Sequence, residues 1–207
     1  MRLVACVLIV WLTLTGCAVE SEKLVTESKD KPTEITLTPV DLFKGDGAKF
    51  KSFLGAMSGA IKLRYEGKKP HVNLDIDMWQ NGKKVASIGS VADLFFSSDD
   101  RASREVEVIL SIDTVPIAGQ DDLNKIKVAI IRDSGSSLSS FTTPWNNKLT
   151  TRGLIVHHEP RTFTAKNTAY VWGMQATSTN IMHAADFSPE SLSKLERAII
   201  FSLRDED

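Results

Sequence analysis

Alternating apolar and polar residues dominate the chain beyond residue 34. In the clearest case, residues 71–79 (HVNLDIDMW), every second side chain is apolar. A period of two predicts a strand with one apolar face. Similar patterns predict further strands at 35–38, 60–65, 85–88, 106–112, 126–131, 154–158, 162–165 and 170–177. The run 126–131 is apolar on both faces, which indicates a central strand.

Two turn signals help to delimit these strands. Asn81 and Gly82 stand between two strand patterns, and this dipeptide favours a two-residue hairpin because both turn positions need a positive φ. The resulting register pairs Met78 with Val85 and Trp79 with Lys84. Residues 134–140 are rich in serine and contain a glycine, so they are predicted to form a loop.

Helical patterns are few and short. Phe50, Phe53, Leu54 and Met57 recur at helical spacing, which predicts a short helix that nearby glycines weaken. The sequence Ser188-Pro189-Glu190 is a typical helix start, with a serine cap and proline in the first turn. Apolar spacing could continue that helix to the C-terminus. We expect instead a helix to about Glu196, followed by a closing strand.

The order of these elements predicts an all-β fold. Eight or nine short strands with frequent turns and one or two short helices are typical of an antiparallel β-sandwich, immunoglobulin-like or jelly-roll-like. A barrel or a small α+β domain is the alternative. Strands and helices do not alternate, which argues against a parallel α/β sheet. One folded domain is predicted at 34–207, and it follows the segments 1–16 and 17–33.

The N-terminus carries the most specific motif in the chain. Residues 3–14 are nearly all apolar and follow Arg2, but the run is shorter than the roughly 20 residues that a transmembrane helix needs. It ends in Leu14-Thr15-Gly16-Cys17, which resembles the lipobox of bacterial lipoproteins. This resemblance implies a signal peptide at 1–16 that is cleaved before Cys17, and attachment of a diacylglyceryl group to the Cys17 thiol. Residues 17–33 would then be the lipidated cysteine and a flexible tether. The general layout is also similar to uncharacterised lipoproteins of spore-forming Gram-positive bacteria, a likeness that implies no activity.

A lipobox implies a location and a first partner. Two acyl chains anchor a protein stably where one does not, so we expect attachment to the cell membrane at its extracytoplasmic face. The charged stretch 18–31 reads as a flexible tether that spans roughly 20 Å as a coil and at most about 45 Å when extended. A cell-wall polymer or an envelope protein is the further partner to expect.

Composition excludes several functional classes. Removal of Arg2 with the signal leaves 24 basic against 26 acidic residues, and this balance argues against nucleic acid as a partner. Of the two cysteines, Cys6 leaves with the signal and Cys17 carries lipid. The mature domain therefore has no disulfide, catalytic thiol or thiolate metal site. About 190 residues suffice to bury a core without such crosslinks.

The catalytic motifs that we tested are incomplete. His158-Glu159 lacks the second histidine of a zinc-protease helix, and Pro160 would interrupt that helix. His157 and His158 are adjacent in a predicted strand and should point to opposite faces. The serine-hydrolase motif Gly-x-Ser-x-Gly is not matched around Ser58, because this serine stands one place too late. Ser191-Leu192-Ser193-Lys194 has the Ser-x-x-Lys spacing of penicillin-binding proteins but lacks their companion motifs. The sequence predicts no catalytic residue, no metal and no cofactor.

Two sets of side chains leave a binding role open. Asn73, Asp75 and Asp77 share one strand face and could bind calcium, although we favour a solvated outer face. Trp79, on the polar face of its strand, and Trp145, in the loop Thr-Pro-Trp-Asn-Asn, could stack on sugar rings or anchor a partner. We favour burial for both tryptophans.

The function expected from the sequence is therefore non-catalytic. We expect a membrane-anchored extracytoplasmic lipoprotein whose β domain binds a ligand or serves a structural role. The alternative is an envelope hydrolase whose site assembles from scattered residues. A deep pocket with converging His, Asp and Glu side chains would favour the hydrolase.

Overall fold

Two antiparallel β-sheets packed face to face make up the described part of the chain. The computed structural model describes residues 32–96, 104–119 and 121–206. The predicted signal peptide, Cys17 and the tether up to residue 31 lie outside the described residues. The strands are β1 Glu34–Val40, β2 Ser58–Glu66, β3 Val72–Gln80, β4 Lys83–Val91, β5 Glu105–Val115, β6 Leu123–Arg132, β7 Gly135–Pro144, β8 Thr151–Val156, β9 Arg161–Thr164, β10 Ala169–Thr177 and β11 Arg197–Asp205.

The strand order defines a sandwich. One sheet has six strands in the order β7-β6-β5-β2-β1-β9, and the other has five in the order β4-β3-β11-β10-β8. Helical structure among the described residues is limited to a 3-10 turn at Gly45–Phe50 and two helices, α1 at Lys51–Leu54 and α2 at Pro189–Ser193. The predicted all-β antiparallel sandwich with one or two short helices is thus confirmed.

The core lies between the two sheets. Alternate side chains of β1, β2, β5 and β6 meet those of β3, β10 and β11 there, as the period-two pattern predicts. The largest are Trp172 and Phe201, whose rings contact edge to face at 5.2 Å between centroids. Each fully buried large apolar side chain contributes about 1.5–3 kcal/mol, so this layer stabilises the fold without crosslinks.

Strand β7 corrects the prediction of a loop at 134–140. Residues 135–144 pair with β6 over the whole strand, from Arg132 opposite Gly135 to Leu123 opposite Pro144. The serine side chains are mostly exposed because β7 is an edge strand, so its composition resembles that of a loop although its backbone is paired. Strand β6 is paired on both sides, so the predicted central position for 126–131 is confirmed, although only one of its two apolar faces is buried.

The β3–β4 hairpin forms at the predicted turn. Asn81 and Gly82 have φ values of 49° and 72°, and Trp79 lies opposite Lys84 as expected. Met78, however, lies opposite Ala86 and not Val85. The pairing is irregular between Met78 and Trp79, which leaves Val85 as an extra, exposed residue on β4.

The outer face of β3 is buried, which contradicts the expected solvated face. Asn73, Asp75 and Asp77 are only 6%, 8% and 5% exposed. Long side chains from the flanking strands cover them: Arg204 Nε lies 2.6 Å from Asp75 Oδ2, and Lys84 Nζ lies 2.8 Å from Asp77 Oδ2. Asp77 is thus paired with β4, the next strand of its hairpin, whereas Asp75 is paired with β11, which is distant in the sequence.

Asp75 should make the fold sensitive to acid. Burial alone would raise the pKa of Asp75, but hydrogen bonds from Arg204 and Ser90 outweigh it, and the folded pKa lies below the ordinary value of 3.8. The unfolded chain then binds a proton more readily, so this stabilisation is present above about pH 4 and is lost as the pH falls through the folded pKa. We expect Asp75→Asn to lower the free energy of unfolding at pH 7 by about 1–2 kcal/mol and to flatten its loss in acid.

Urea unfolding at pH 7 and pH 3 measures this effect. Glu190→Gln is the matched control, because it removes a carboxylate from an exposed pair with Lys194 and should change the free energy of unfolding by less than about 0.5 kcal/mol. Equal acid sensitivity of Asp75→Asn and the parent protein would contradict the assignment.

The C-terminal helix and strand form in the predicted order. Ser188 Oγ accepts a hydrogen bond from the Ser191 amide and caps α2, which ends at Ser193, three residues before the expected Glu196. Strand β11 then runs between β3 and β10 and is buried on both faces. Its outer face, with Ala198 and Ile200, lies in a second apolar cluster. The other buried members of that cluster are Ile155, Leu192 and Leu195.

Candidate functional site

An open edge of the sandwich contains a cleft. Strand β8 is an edge of the five-stranded sheet, and β1 pairs with β9 only through residues 34–37. Within the described strands, residues 38–40 thus have a neighbour only on the β2 side. A cavity of about 290 Å³ opens here, which we call the edge cleft. It is lined by Pro39, Val40, Asp41, Leu42, Phe43, Ser58, Gly59, Ala60, Ile61, Leu154, Val156, His157, His158, Val171 and Trp172.

Most of the lining is apolar, and its polar groups are few. Asp41 and His158 are exposed at the solvent side. His157 Nε2 lies 2.9 Å from the Tyr170 carbonyl oxygen, and its ring contacts Phe187 at 4.9 Å, so His157 is held in place by its neighbours. An apolar cavity with a small number of placed polar groups is typical of ligand sites, and 290 Å³ lies near the lower end of their volumes.

Trp172 supplies an unused hydrogen-bond donor at this cleft. Its side chain is 1% exposed, and Nε1 has no hydrogen-bond partner. The indole nitrogen lies against Gly59, because a Cβ built on that glycine would be only 2.5 Å from Nε1. A buried N–H without an acceptor costs about 1–3 kcal/mol. A ligand oxygen that reached Nε1 by displacing the atoms packed around it would recover that energy.

Serine hydroxyls hold the segment that forms one wall. Ser58 Oγ and Ser111 Oγ both donate to the Leu54 carbonyl oxygen, the second at 3.1 Å. The Ile112 amide donates to the Met57 carbonyl oxygen at 2.9 Å. These bonds fix the end of the loop between β1 and β2 against β5. The loop whose first residues, Asp41, Leu42 and Phe43, line the edge cleft is thereby attached to the six-stranded sheet at its C-terminal end.

A larger cavity of about 1090 Å³ adjoins the edge cleft, and we call it the outer cavity. Val156 and His158 line both. It lies between α2, the loop 178–188 and the outer side of β10. Met182 of that loop sits over Gly153 of β8, where a Cβ would be 2.6 Å from its sulfur. Its ionisable lining residues are His158, His183, Asp186, Glu190, Lys194 and Glu196.

The carboxylates of the outer cavity are engaged in turns and caps. Glu196 Oε2 accepts from Thr177 Oγ1 at 2.8 Å and from the Ser178 amide at 2.9 Å, and these bonds lower the pKa of Glu196. Asp186 Oδ1 accepts from the Ser188 amide at 2.9 Å and from its hydroxyl, which likewise lowers the pKa of Asp186. Both carboxyls are therefore held ionised, which suits structural acceptors and not general acids.

Within the described ranges, neither cavity contains a His–carboxylate ion pair or a metal-binding cluster. Among the described residues, His71 forms an ion pair with Asp93 at 3.7 Å, and this pair lies outside both cavities. Over the same residues, no group of three or more His, Cys, Asp or Glu side chains is placed to hold a metal. Ser191 Oγ accepts from the Asp186 amide, and Lys194 Nζ pairs with Glu190 at 2.7 Å, so the Ser-x-x-Lys spacing does not bring those two groups together.

The two tryptophans singled out by sequence lie apart from this site. Trp145 is 2% exposed, and the guanidinium carbon of Arg152 lies 4.3 Å from its ring centroid. Trp79 is half-buried and contacts Tyr170 edge to face at 5.8 Å. Neither lines either cavity. The free donor of Trp172 could not be found from the sequence, because no local pattern shows that β2 and β10 meet across the sandwich.

Comparisons of the chain with models of known protein families, with curated proteins and with solved structures yield no match. None of the helices in the described residues is long and apolar enough to span a bilayer.

Proposed function

We propose that this chain is a lipid-anchored, extracytoplasmic binding protein, and that its β-sandwich holds an apolar group of its ligand in the edge cleft. The main observation in support of this binding site is the buried Nε1–H of Trp172 beside Gly59, which has no hydrogen-bond partner. The ligand group that fits is small and apolar and bears one acceptor oxygen next to the apolar part. The anchor is supported by the lipobox sequence that ends at Cys17.

Binding is better supported than hydrolysis. The outer cavity contains the residue types of a hydrolase, which is the observation in favour of that alternative. Its Asp186 and Glu196 carboxylates, however, are bonded to turns, and hydrolysis needs a positioned proton donor or an activated nucleophile. The edge cleft has an apolar lining and one unsatisfied donor, which is an arrangement for holding a group and not for transferring a proton.

Benzamide is a suitable probe, because it joins an apolar ring to a carbonyl acceptor. We expect the Trp172 indole N–H resonance of ¹⁵N-labelled protein to move downfield during titration to about 20 mM, since fragments of this size bind with about millimolar Kd. The Trp79 and Trp145 indole resonances should stay in place, because neither ring lines the cleft. Ethylbenzene has a similar shape and no acceptor, and it should bind without the downfield shift.

Two substitutions make the test specific. Trp172→Phe keeps an aromatic ring and removes the donor, so benzamide should bind roughly fivefold more weakly while ethylbenzene is unaffected. Gly59→Ala puts a methyl group against the indole and should close the site, whereas Gly119→Ala, at a residue that lines neither cavity and has nothing within 4 Å of its Cβ, should leave binding unchanged. An unmoved Trp172 resonance, or equal loss of both probes in Trp172→Phe, would refute the assignment.

A further inference from the structure

The loop between β1 and β2 exposes two phenylalanine rings. We call residues 41–54 the Phe/Lys segment; it contains the 3-10 turn Gly45–Phe50 and α1. Phe50 is 51% exposed and Phe53 is 82% exposed. Helical spacing in the sequence predicts one apolar face at Phe50, Phe53, Leu54 and Met57, but only Leu54 and Met57 are partly buried, and the two phenylalanines face solvent. Exposed aromatic rings close together on one loop mark an interaction surface.

Lysines accompany these rings. Lys44, Lys49 and Lys51 are all exposed. Lys49 Nζ lies 5.3 Å from the Phe50 ring centroid, and Lys51 Nζ lies 5.9 Å from that of Phe43. Asp41 and Asp46 are the acidic residues of the segment, which leaves it with a net positive charge. Aromatic rings beside ammonium groups suit binding to an anionic bilayer. The rings insert at the level of the headgroups, and the ammonium groups pair with the anionic headgroups.

The rings are presented on a fixed base. The Gly55 amide donates to the Lys51 carbonyl oxygen at 3.0 Å, and Gly55 has a φ of 75°, which ends α1 sharply. The Leu54 carbonyl oxygen is held by the hydroxyls of Ser58 and Ser111. Phe53 therefore projects from a segment bonded to β2 and β5. The exposure of its ring is a feature of the fold and not the result of a loose loop.

The tether length permits contact with the membrane. Fourteen residues separate Cys17 from Pro32, and fully extended they span at most about 45 Å. Strand β1 leads from this junction to the Phe/Lys segment, and its seven residues span about 23 Å. A lipid at Cys17 thus leaves enough chain for the segment to reach the bilayer surface.

We propose that the Phe/Lys segment docks on an anionic lipid surface, with the Phe50 and Phe53 rings among the headgroups. This inference rests on the proposed lipid anchor, which brings the domain within reach of the bilayer. Docking would fix the orientation of the domain and place the edge cleft close to the membrane, because residues 41–43 belong to both.

Quenching by brominated lipids tests this docking. The mature protein, purified from membranes, is reconstituted in vesicles that contain phosphatidylglycerol and phosphatidylcholine brominated near the headgroup. Phe53→Trp adds an indole at the proposed contact, and Leu138→Trp adds one on β7, where Leu138 is 67% exposed. We expect the lipids to quench the added indole of Phe53→Trp at least twofold more than that of Leu138→Trp. Adding Lys49→Gln and Lys51→Gln, or omitting phosphatidylglycerol, should reduce that quenching by about half.

The outcomes separate the two proposals. If mass spectrometry finds no lipid on Cys17, the anchor fails, and the same protein added to preformed anionic vesicles tests the surface alone. If the lipid is present and the indole of Phe53→Trp is quenched no more than that of Leu138→Trp, the docking proposal is overturned and the anchor stands. Quenching that is indifferent to both lysine substitution and lipid charge would overturn the proposed role of the lysines.

Discussion

Cys17→Ser is expected to abolish attachment of lipid to this protein. The serine hydroxyl cannot form the thioether that the lipobox resemblance implies for the thiol of Cys17. In cells labelled with an alkyne fatty acid, the native protein should carry the label and the variant should show only background. The variant should also retain residues 1–16, because the resemblance to the bacterial lipobox implies that cleavage before residue 17 depends on the lipidated thiol. Its mass by intact-protein spectrometry should therefore be that of the uncleaved chain.

Cys6→Ser is the matched control. It removes the other cysteine from the same apolar run and leaves the lipobox intact, so we expect normal labelling and normal cleavage. The two variants together separate a requirement for the thiol at residue 17 from a general requirement for cysteine. Label that persists in Cys17→Ser, or a native protein released without fatty acid, would remove the basis for the anchor. It would also remove the tether-length support for membrane docking.

Gly82→Ala is expected to lower the free energy of unfolding by about 2–4 kcal/mol. With a φ of 72°, any residue with a Cβ is strained at this position by about 1–2 kcal/mol. A Cβ would also lie 2.3 Å from the Ser193 carbonyl oxygen, so the hairpin and the end of α2 would have to separate. That movement would weaken two hydrogen bonds, from the Asn81 amide to the Glu196 carbonyl oxygen and from the Gly82 amide to the Leu195 carbonyl oxygen. Each contributes about 1 kcal/mol to the free energy of unfolding.

Gly119→Ala is the control that isolates the contact from the strain. Gly119 has a φ of 75°, but nothing lies within 4 Å of its Cβ, so this variant should lose only about 1–2 kcal/mol. Urea unfolding followed by tryptophan fluorescence measures both variants. An equal loss of stability in the two would mean that the hairpin does not depend on its contact with α2.

The features predicted correctly from sequence are those encoded by neighbouring residues. The alternation in β3, the Asn81-Gly82 turn and the Ser188 cap each depend on interactions within a few positions. The wrong predictions concern partners that are distant in sequence. Strand β7 has a loop-like composition but forms a strand because its backbone hydrogen-bonds to that of β6. Asp75 is buried because the side chain of Arg204 covers it.

The candidate site shows the same division. Gly59 and Trp172 lie more than a hundred residues apart, and their contact depends on how β2 and β10 face each other across the core. Sequence reasoning singled out Trp79 and Trp145 because their local surroundings are polar. Burial of Trp145 beneath Arg152 and the contact of Trp79 with Tyr170 both involve elements that only the fold brings near.

The sequence by itself determined the all-β class, the hairpin turn, the capped helix and the lipobox motif, because hydrophobic period, turn chemistry and a contiguous motif are local properties. Only the tertiary structure decided that the polar face of β3 is buried, that an edge cleft opens beside β8, and that the Trp172 donor is left without a partner. Those outcomes depend on which strands become neighbours, and strand pairing is set by the packing of the whole core and not by any one segment.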